Sequence, residues 1–495
     1  TLYGSSAIGG VINIITKVPK KNGFDVNYTY QSIKGEASDH IINGNATVVS
    51  KNKNAGVSLF INKRERDTYD NNNDNFSELP ELNNTSFGTN LFFLPADNQK
   101  LEGSFSSLNE YRYGGEMVDK APHLALQAEE RTHNVFMGNL DYQINFNNNN
   151  GSLITYLAGQ RTNRDHYTGI FPDTPEEVTT HLENPPYGTS KTTTLQGGAQ
   201  LNYQVNNFIR GNNVFTFGLE YVMDDILDKI ETYNYKIDQK TKNFAMLLQS
   251  DWEISQELSL LSGVRADKHN LVDKLIFSPR FSLLYKPKNN FQFRTTWSTG
   301  FRAPQAFDTD LHIAFAGGGI SRISLADNLK EERSNSFSTS INYDKPTEHY
   351  ILGFTLEGFY THLKDVFFLA PLGEDEFGER FEKQNGDGAT VKGLTLELRA
   401  NYNKKVQLET GFNIQSSKFD SAIENVEGLP PLREFLRTPN KYGFATLSFT
   451  PNKKFNTSIN YVYTGSMKIA HFAGAPEQIE DEYVTSKPFS ELGFK

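Results

Sequence analysis

Apolar and polar residues alternate along most of this chain. Between residues 291 and 302, Phe291, Phe293, Thr295, Trp297, Thr299 and Phe301 fall on one face, and Gln292, Arg294, Thr296, Ser298, Gly300 and Arg302 on the other. Phe215, Phe217, Leu219 and Tyr221 share a face in the same way, and residues 456–463 repeat the pattern. A period of two over about ten residues predicts a half-buried β-strand. Residues 51–54, 96–99, 146–151, 254–257, 287–290, 344–348, 403–405 and 451–454 read as short turns. They alternate with long polar segments near 70–84, 114–131, 165–190, 303–331, 364–388, 420–437 and 466–485. The pattern predicts nineteen complete strands, the first near 24–33, and the start of a twentieth near 489–495.

Short turns at one end and long loops at the other suit an outer-membrane β-barrel, whose short turns face the periplasm. A soluble sandwich has no reason for that asymmetry. Aromatic residues flank the short turns, Tyr285 and Phe291 around one and Phe449 and Phe455 around another, as an interfacial girdle requires. The asparagine-rich pieces 71–75 and 147–150 need only turn chemistry.

Composition sharpens the picture. Among 495 residues there are 37 Phe and 23 Tyr, yet mean hydropathy is −0.54. No stretch approaches the roughly 20 apolar residues of a spanning helix. A barrel wall accounts for both facts, because alternation averages its two faces away. The net charge of −10 argues against a nucleic-acid partner, which needs clustered Lys and Arg. Cysteine is absent, so thiolate chemistry and disulfides are excluded. No nucleophile motif, phosphate loop or metal-ligand spacing appears, so an enzyme is not expected and no metal or cofactor is assigned. The acidic piece 374–382 reads as solvated loop.

The opening stretch differs from the rest. After Gly9-Gly10, residues 11–16 are β-branched or polar without alternation, which predicts a strand buried on both faces. A wall of twenty or more strands encloses a wide lumen, and a plug fills such a lumen. "LYGSSAIGGVINIITK" (residues 2–17) resembles the end of the plug domain of TonB-dependent outer-membrane receptors, with Tyr3, Gly4, Gly9, Gly10 and Asn13 standing where that pattern wants them. "TGFRAPQAFDTDLHI" (299–313) and "NLKEERSNSF" (328–337) resemble two further segments of the same family, the latter without its usual prolines.

The resemblance implies an all-β fold: a transmembrane antiparallel barrel of 22 strands in the full protein, with about twenty present here. Residues 1–20 would be the C-terminal remnant of an N-terminal plug domain, and 21–495 a barrel incomplete at its C-terminus. Signal sequence, TonB box and most of the plug would lie outside this stretch. It implies active uptake of a scarce bulky ligand across the outer membrane of a Gram-negative bacterium, most readily a ferric siderophore or another iron complex. The energy would come from a TonB-type protein acting through the TonB box. Outer-membrane lipid would surround a monomer. Haem and cobalamin remain alternatives within the family, and a soluble all-β adhesin or binding protein is the alternative outside it. Aromatic, His and Arg positions in the long segments are the ligand candidates: Arg112, Tyr113, His123, His166, Tyr167, Phe171, His312, Arg322 and His471. His312 lies where haem receptors of the family carry an iron-ligating histidine.

Overall fold

The structure is a computed structural model that describes residues 18–288, 290–306, 313–314, 320–375, 378–426, 428–471 and 480–495. The plug-like motif of residues 3–13 and His312 lie outside them.

One antiparallel sheet dominates, and each wall strand pairs with its sequence neighbour. Of its 21 members, the three-residue Leu432–Glu434 is a loop segment, leaving twenty wall strands from Gly23–Ile33 to Phe489–Phe494. This matches the expected count. Gly23–Ile33 pairs only with Ala37–Val49, and Phe489–Phe494 only with Phe455–Thr464, among the described residues. The longest ladders join Gln127–Phe146, Gly151–Ile170, Tyr187–Val205, Asn212–Ile230 and Tyr235–Glu253.

The nine connections at one end of the wall are all short, the longest being 206–211. Asn147, Asn148 and Asn149 supply left-handed φ values of 52°, 52° and 69° in one of them, which asparagine tolerates better than most residues. The opposite end is mixed. Most of its loops are long, but 34–36, 231–234 and 270–275 are not. At 231–234 the ladder itself runs on to Ile230 and Tyr235, so height that other hairpins gain by loop is gained there by strand.

Register explains the alternation. Phe281, Trp297, Phe337 and Tyr360 are successive cross-strand partners, and all four are exposed. Val48, Val57, Leu91, Gly103, Leu140 and Leu157 form a second such row. These rows are the outer wall, where large exposed apolar side chains belong in lipid. The intervening rows are polar and bond to one another, as in Thr47–Ser58 (2.8 Å) and Ser282–Thr296 (2.8 Å). They line the lumen. Exposed Tyr285, Phe449, Phe455 and Tyr402 stand at the short-turn end, at interface depth. No helix among the described residues is long and apolar enough to cross a membrane.

Trp297 faces outward, with its indole N–H donating to Asn335 Oδ1 at 2.8 Å. Trp297→Arg is expected to cost about 2–4 kcal/mol near mid-depth, and Ser298→Arg, on the lumen face, much less. Reversible unfolding in phospholipid vesicles checks this; equal costs would contradict the assigned facing.

Candidate functional site

The long-loop end holds two basic regions that face the lumen, together with a buried ionic network below them.

The first region lies on the wall itself. Arg112 shares a face with Ser104 and Glu110, both of which bond to lumen-side neighbours, so its exposed side chain is directed inward. Its cross-strand partner is Arg131, paired with Glu129 at 2.9 Å. Arg64 belongs to the same face and forks onto the buried Asp39. Arg66 donates to Pro80 O at 2.9 Å.

The second region is built from loops. Ile320–Leu325 pairs in parallel with Gly378–Asn385, which pairs antiparallel with Phe367–Asp375. Two connections thus fold into one small sheet. It lies against the upper wall, where Ile226, Ile230, Tyr235, Ile237 and Ala306 form an apolar cluster joined by Tyr233 and Leu325. The wall strand Tyr235–Glu253 directs Tyr235, Ile237 and Gln239 inward, opposite to the exposed Phe244, Met246 and Leu248. Gln239 Oε1 accepts from Ala306 N at 2.8 Å. Lys383 is buried, donates to Gln305 O at 3.1 Å and stands 4.8 Å from the Phe367 ring centre. Gln305 Oε1 lies 3.0 Å from His269 Nε2 on the wall. These bonds fasten the loop sheet to the barrel.

Between this sheet and the wall is a cavity of about 360 Å³, lined by Tyr235, Ile237, Gln239, Arg322, Ile323 and Phe381 among others. Arg322 and Arg380 share one carboxylate, Asp375: Arg322 bonds to it directly and Arg380 lies 3.9 Å away. Two guanidinium groups thus meet in the cavity lining, and their planar donors suit oxyanions.

Deeper in the wall, Arg265 donates to Asp267 (3.0 Å) and to Glu220 Oε1 (2.6 Å). Asn243 bonds Asp267 at 2.8 Å, and Tyr156 and Gln196 bond Glu220 Oε2 at 2.9 and 3.1 Å. Five adjacent strands contribute to this network. Gly198 is one place where glycine is required: a Cβ there would stand 2.7 Å from the Tyr156 ring, which crosses above it.

The predicted ligand residues separate into distinct places. Arg112 and Arg322 face the two basic regions. His166 faces the lumen too, but its ring is fully buried 3.8 Å from the equally buried Asp228. Tyr113 and Tyr167 sit on the outward face, buried with Ala125 and Ala128 under the loops. His123 and Phe171 pack in the same outer cluster, against His181 of the helix Pro175–Glu183. His471 lies on a separate hairpin, 3.9 Å from Glu482. Sequence reasoning missed Arg380, Gln239, Lys383 and the Arg265 network. Asp70, Asp74 and Glu78 bring oxygens within 4.8 Å of one another, but Asp70 and Asp74 accept loop N–H groups and the set is largely exposed.

Fold and facing define an integral β-barrel of the outer membrane, with its wider architecture at the long-loop end. The family "TonB dependent receptor-like, beta-barrel" matches residues 59–486, and the chain belongs to that family. The chain is 24% identical over 267 residues to the iron-regulated outer membrane virulence protein of Vibrio cholerae, a match covering 52% of this chain and 39% of that protein. The match thus spans about two-fifths of that relative's length. Its fold is similar to those of the siderophore receptor PirA from Acinetobacter baumannii (TM-score 0.74, 15% identity, 100% of this chain and 76% of that one) and of the ferric enterobactin receptor PfeA from Pseudomonas aeruginosa bound to BCV-L6 (0.73, 14%, 100% and 76%). The FpvAI–pyocin S2 complex is similar as well (0.68, 11%, 95% and 66%).

Arg265→Met leaves Asp267 and Glu220 without their cation and is expected to cost about 3–5 kcal/mol. Adding Asp267→Asn should recover part of that; denaturant unfolding of both variants measures it. A second expectation concerns pH. Burial, with the nearby His181, holds the His123 imidazole below its ordinary range, and Tyr187 Oη lies 2.9 Å from its Nδ1. A depressed histidine stabilises the docked loops above its unfolded value of about 6.5, and that contribution is lost as pH falls through the lower folded value. Protection factors of the Pro175–Glu183 amides, with the intrinsic pH dependence of exchange divided out, should be lower at pH 5 than at pH 7.5, and His123→Gln should flatten the difference.

Proposed function

We propose that this chain is the barrel of a receptor that takes up an anionic iron complex, a ferric siderophore in the first instance, across the outer membrane. The observation that carries the reading is the cavity under the loop sheet, whose lining brings Arg322 and Arg380 together at Asp375. Elsewhere on the lumen face the exposed Arg112 adds positive charge. The chain as a whole carries −10, so these cations are set against the overall charge. Charge-assisted, bidentate contact with oxyanions is what guanidinium offers best. The siderophore-binding relatives support the same class of ligand.

Residues 1–20 are the end of a plug domain in this reading, and 21–495 the barrel. A TonB-type protein pulls on the plug and thereby opens a path for the ligand. The receptor works as a monomer and catalyses no covalent step. The haem alternative draws on His312, outside the described residues, and His166 is enclosed by the wall and Asp228.

The test is growth of a deletion strain on a panel of ferric siderophores, haem and cobalamin. Loss on one ferric siderophore is expected. For that compound, Arg322→Glu with Arg380→Glu should weaken binding at least tenfold, with the barrel still heat-modifiable on gels. Unaltered growth on every siderophore, or unchanged affinity in the double variant, would overturn the reading.

A further inference from the structure

The outer wall carries a feature that ligand uptake does not use. Gly103 sits in the outward row between Leu91 and Leu140. A Cβ added there would meet Leu140 Cδ1 at 3.7 Å and Asn139 O at 3.6 Å, which are ordinary contacts. Crowding therefore does not demand glycine. Its missing side chain opens a notch between the larger apolar side chains of Leu91 and Leu140. Around the notch is an apolar groove of about 530 Å³, walled by Val57, Leu91, Phe93, Leu101 and Leu140. Its volume falls within the roughly 300–1,000 Å³ of small-molecule sites.

The groove ends at the periplasmic turn 50–54, where Ser50 and Ala55 belong to its lining. That turn carries Lys51 and Lys53, both exposed, and neither forms an ion pair among the described residues. We propose that the groove seats an acyl chain of an anionic glycerophospholipid of the periplasmic leaflet, with the headgroup phosphate held by Lys51 and Lys53. The apolar part continues the lipid-facing belt, so an acyl chain enters it without leaving hydrocarbon. The cationic part stands at headgroup depth, in the turn that follows the last ladder pair, Val49–Gly56, with Lys51 two residues beyond Val49. Juxtamembrane lysines select anionic headgroups in this way.

The experiment is native mass spectrometry of the full chain in dodecyl maltoside, titrated with dioleoyl-phosphatidylglycerol or dioleoyl-phosphatidylethanolamine. The wild type should bind one phosphatidylglycerol at several-fold lower concentration than the neutral-headed lipid. Gly103→Leu, which fills the notch, should cut occupancy by both lipids at least fivefold. Lys51→Gln with Lys53→Gln should abolish the headgroup preference and keep binding of phosphatidylethanolamine. Gly197→Leu, on the same outward row but outside the groove, should change nothing. Equal binding of the two lipids by the wild type would overturn the proposal. So would undiminished occupancy in Gly103→Leu, or an equal loss in Gly197→Leu.

Discussion

A peptide group in hydrocarbon has no water to bond, so each wall residue must give its N–H and C=O to a neighbouring strand. That constraint organises this chain. It forces long, uninterrupted ladders, and the ladders force side chains to alternate between lipid and lumen. Large apolar residues then become outward rows such as Phe281–Trp297–Phe337–Tyr360. Polar residues become inward rows that bond across strands. The low mean hydropathy follows from the same geometry, because half of each strand is written for water.

The part of the fold governed by this constraint was legible in the sequence. Alternation around Trp297 and Phe217, and turns at 147–150 and 403–405, mark strands and their ends by local chemistry alone. Legibility fell where strand height replaced loop length. The hairpin at 231–234 has no long polar segment to announce it, since its ladder continues to the rim. Loop residues were harder still. Tyr113 and Tyr167 have the composition of ligand contacts, yet parity along their strands places both on the outer face, sealed by Ala125 and Ala128. A count from Phe105 or Leu157 along the strand would have shown this once the facing was fixed. Arg265, Asp267, Glu220 and Tyr156 are far apart in sequence. Only the register of five ladders brings them together.

The two ends of the wall solve different problems. At the short-turn end, aromatic side chains meet the interface and the chain turns back at once. At the other end, loop residues cover the outer rim and also fold inward. Helix Pro175–Glu183, capped by Thr174, closes over the outer aromatic cluster. The sheet formed by Ile320–Leu325, Phe367–Asp375 and Gly378–Asn385 closes over the lumen side. Apolar packing thus holds the rim, which leaves the arginines of the mouth to the lumen.

How the inward sheet is fastened bears on what its cavity can do. Lys383 is buried, and its cation is held by the Gln305 carbonyl and the face of Phe367. Gln305 in turn meets His269 on the wall, and Gln239 receives the Ala306 amide. The Gln305–His269 and Ala306–Gln239 bonds join loop to wall strand, and Lys383 ties the second connection to the first, so the loop sheet is seated on the barrel. A site seated in this way holds its donors before a ligand arrives, and less binding energy is lost to ordering them. Arg322 and Arg380 come from two different connections and meet at Asp375 because those connections pair in one sheet with the two arginines in register. An oxyanion at that point would compete with Asp375 for the same two guanidinium groups. Binding there would therefore be coupled to the contact between the two loops, and through Lys383 and Gln305 to the wall.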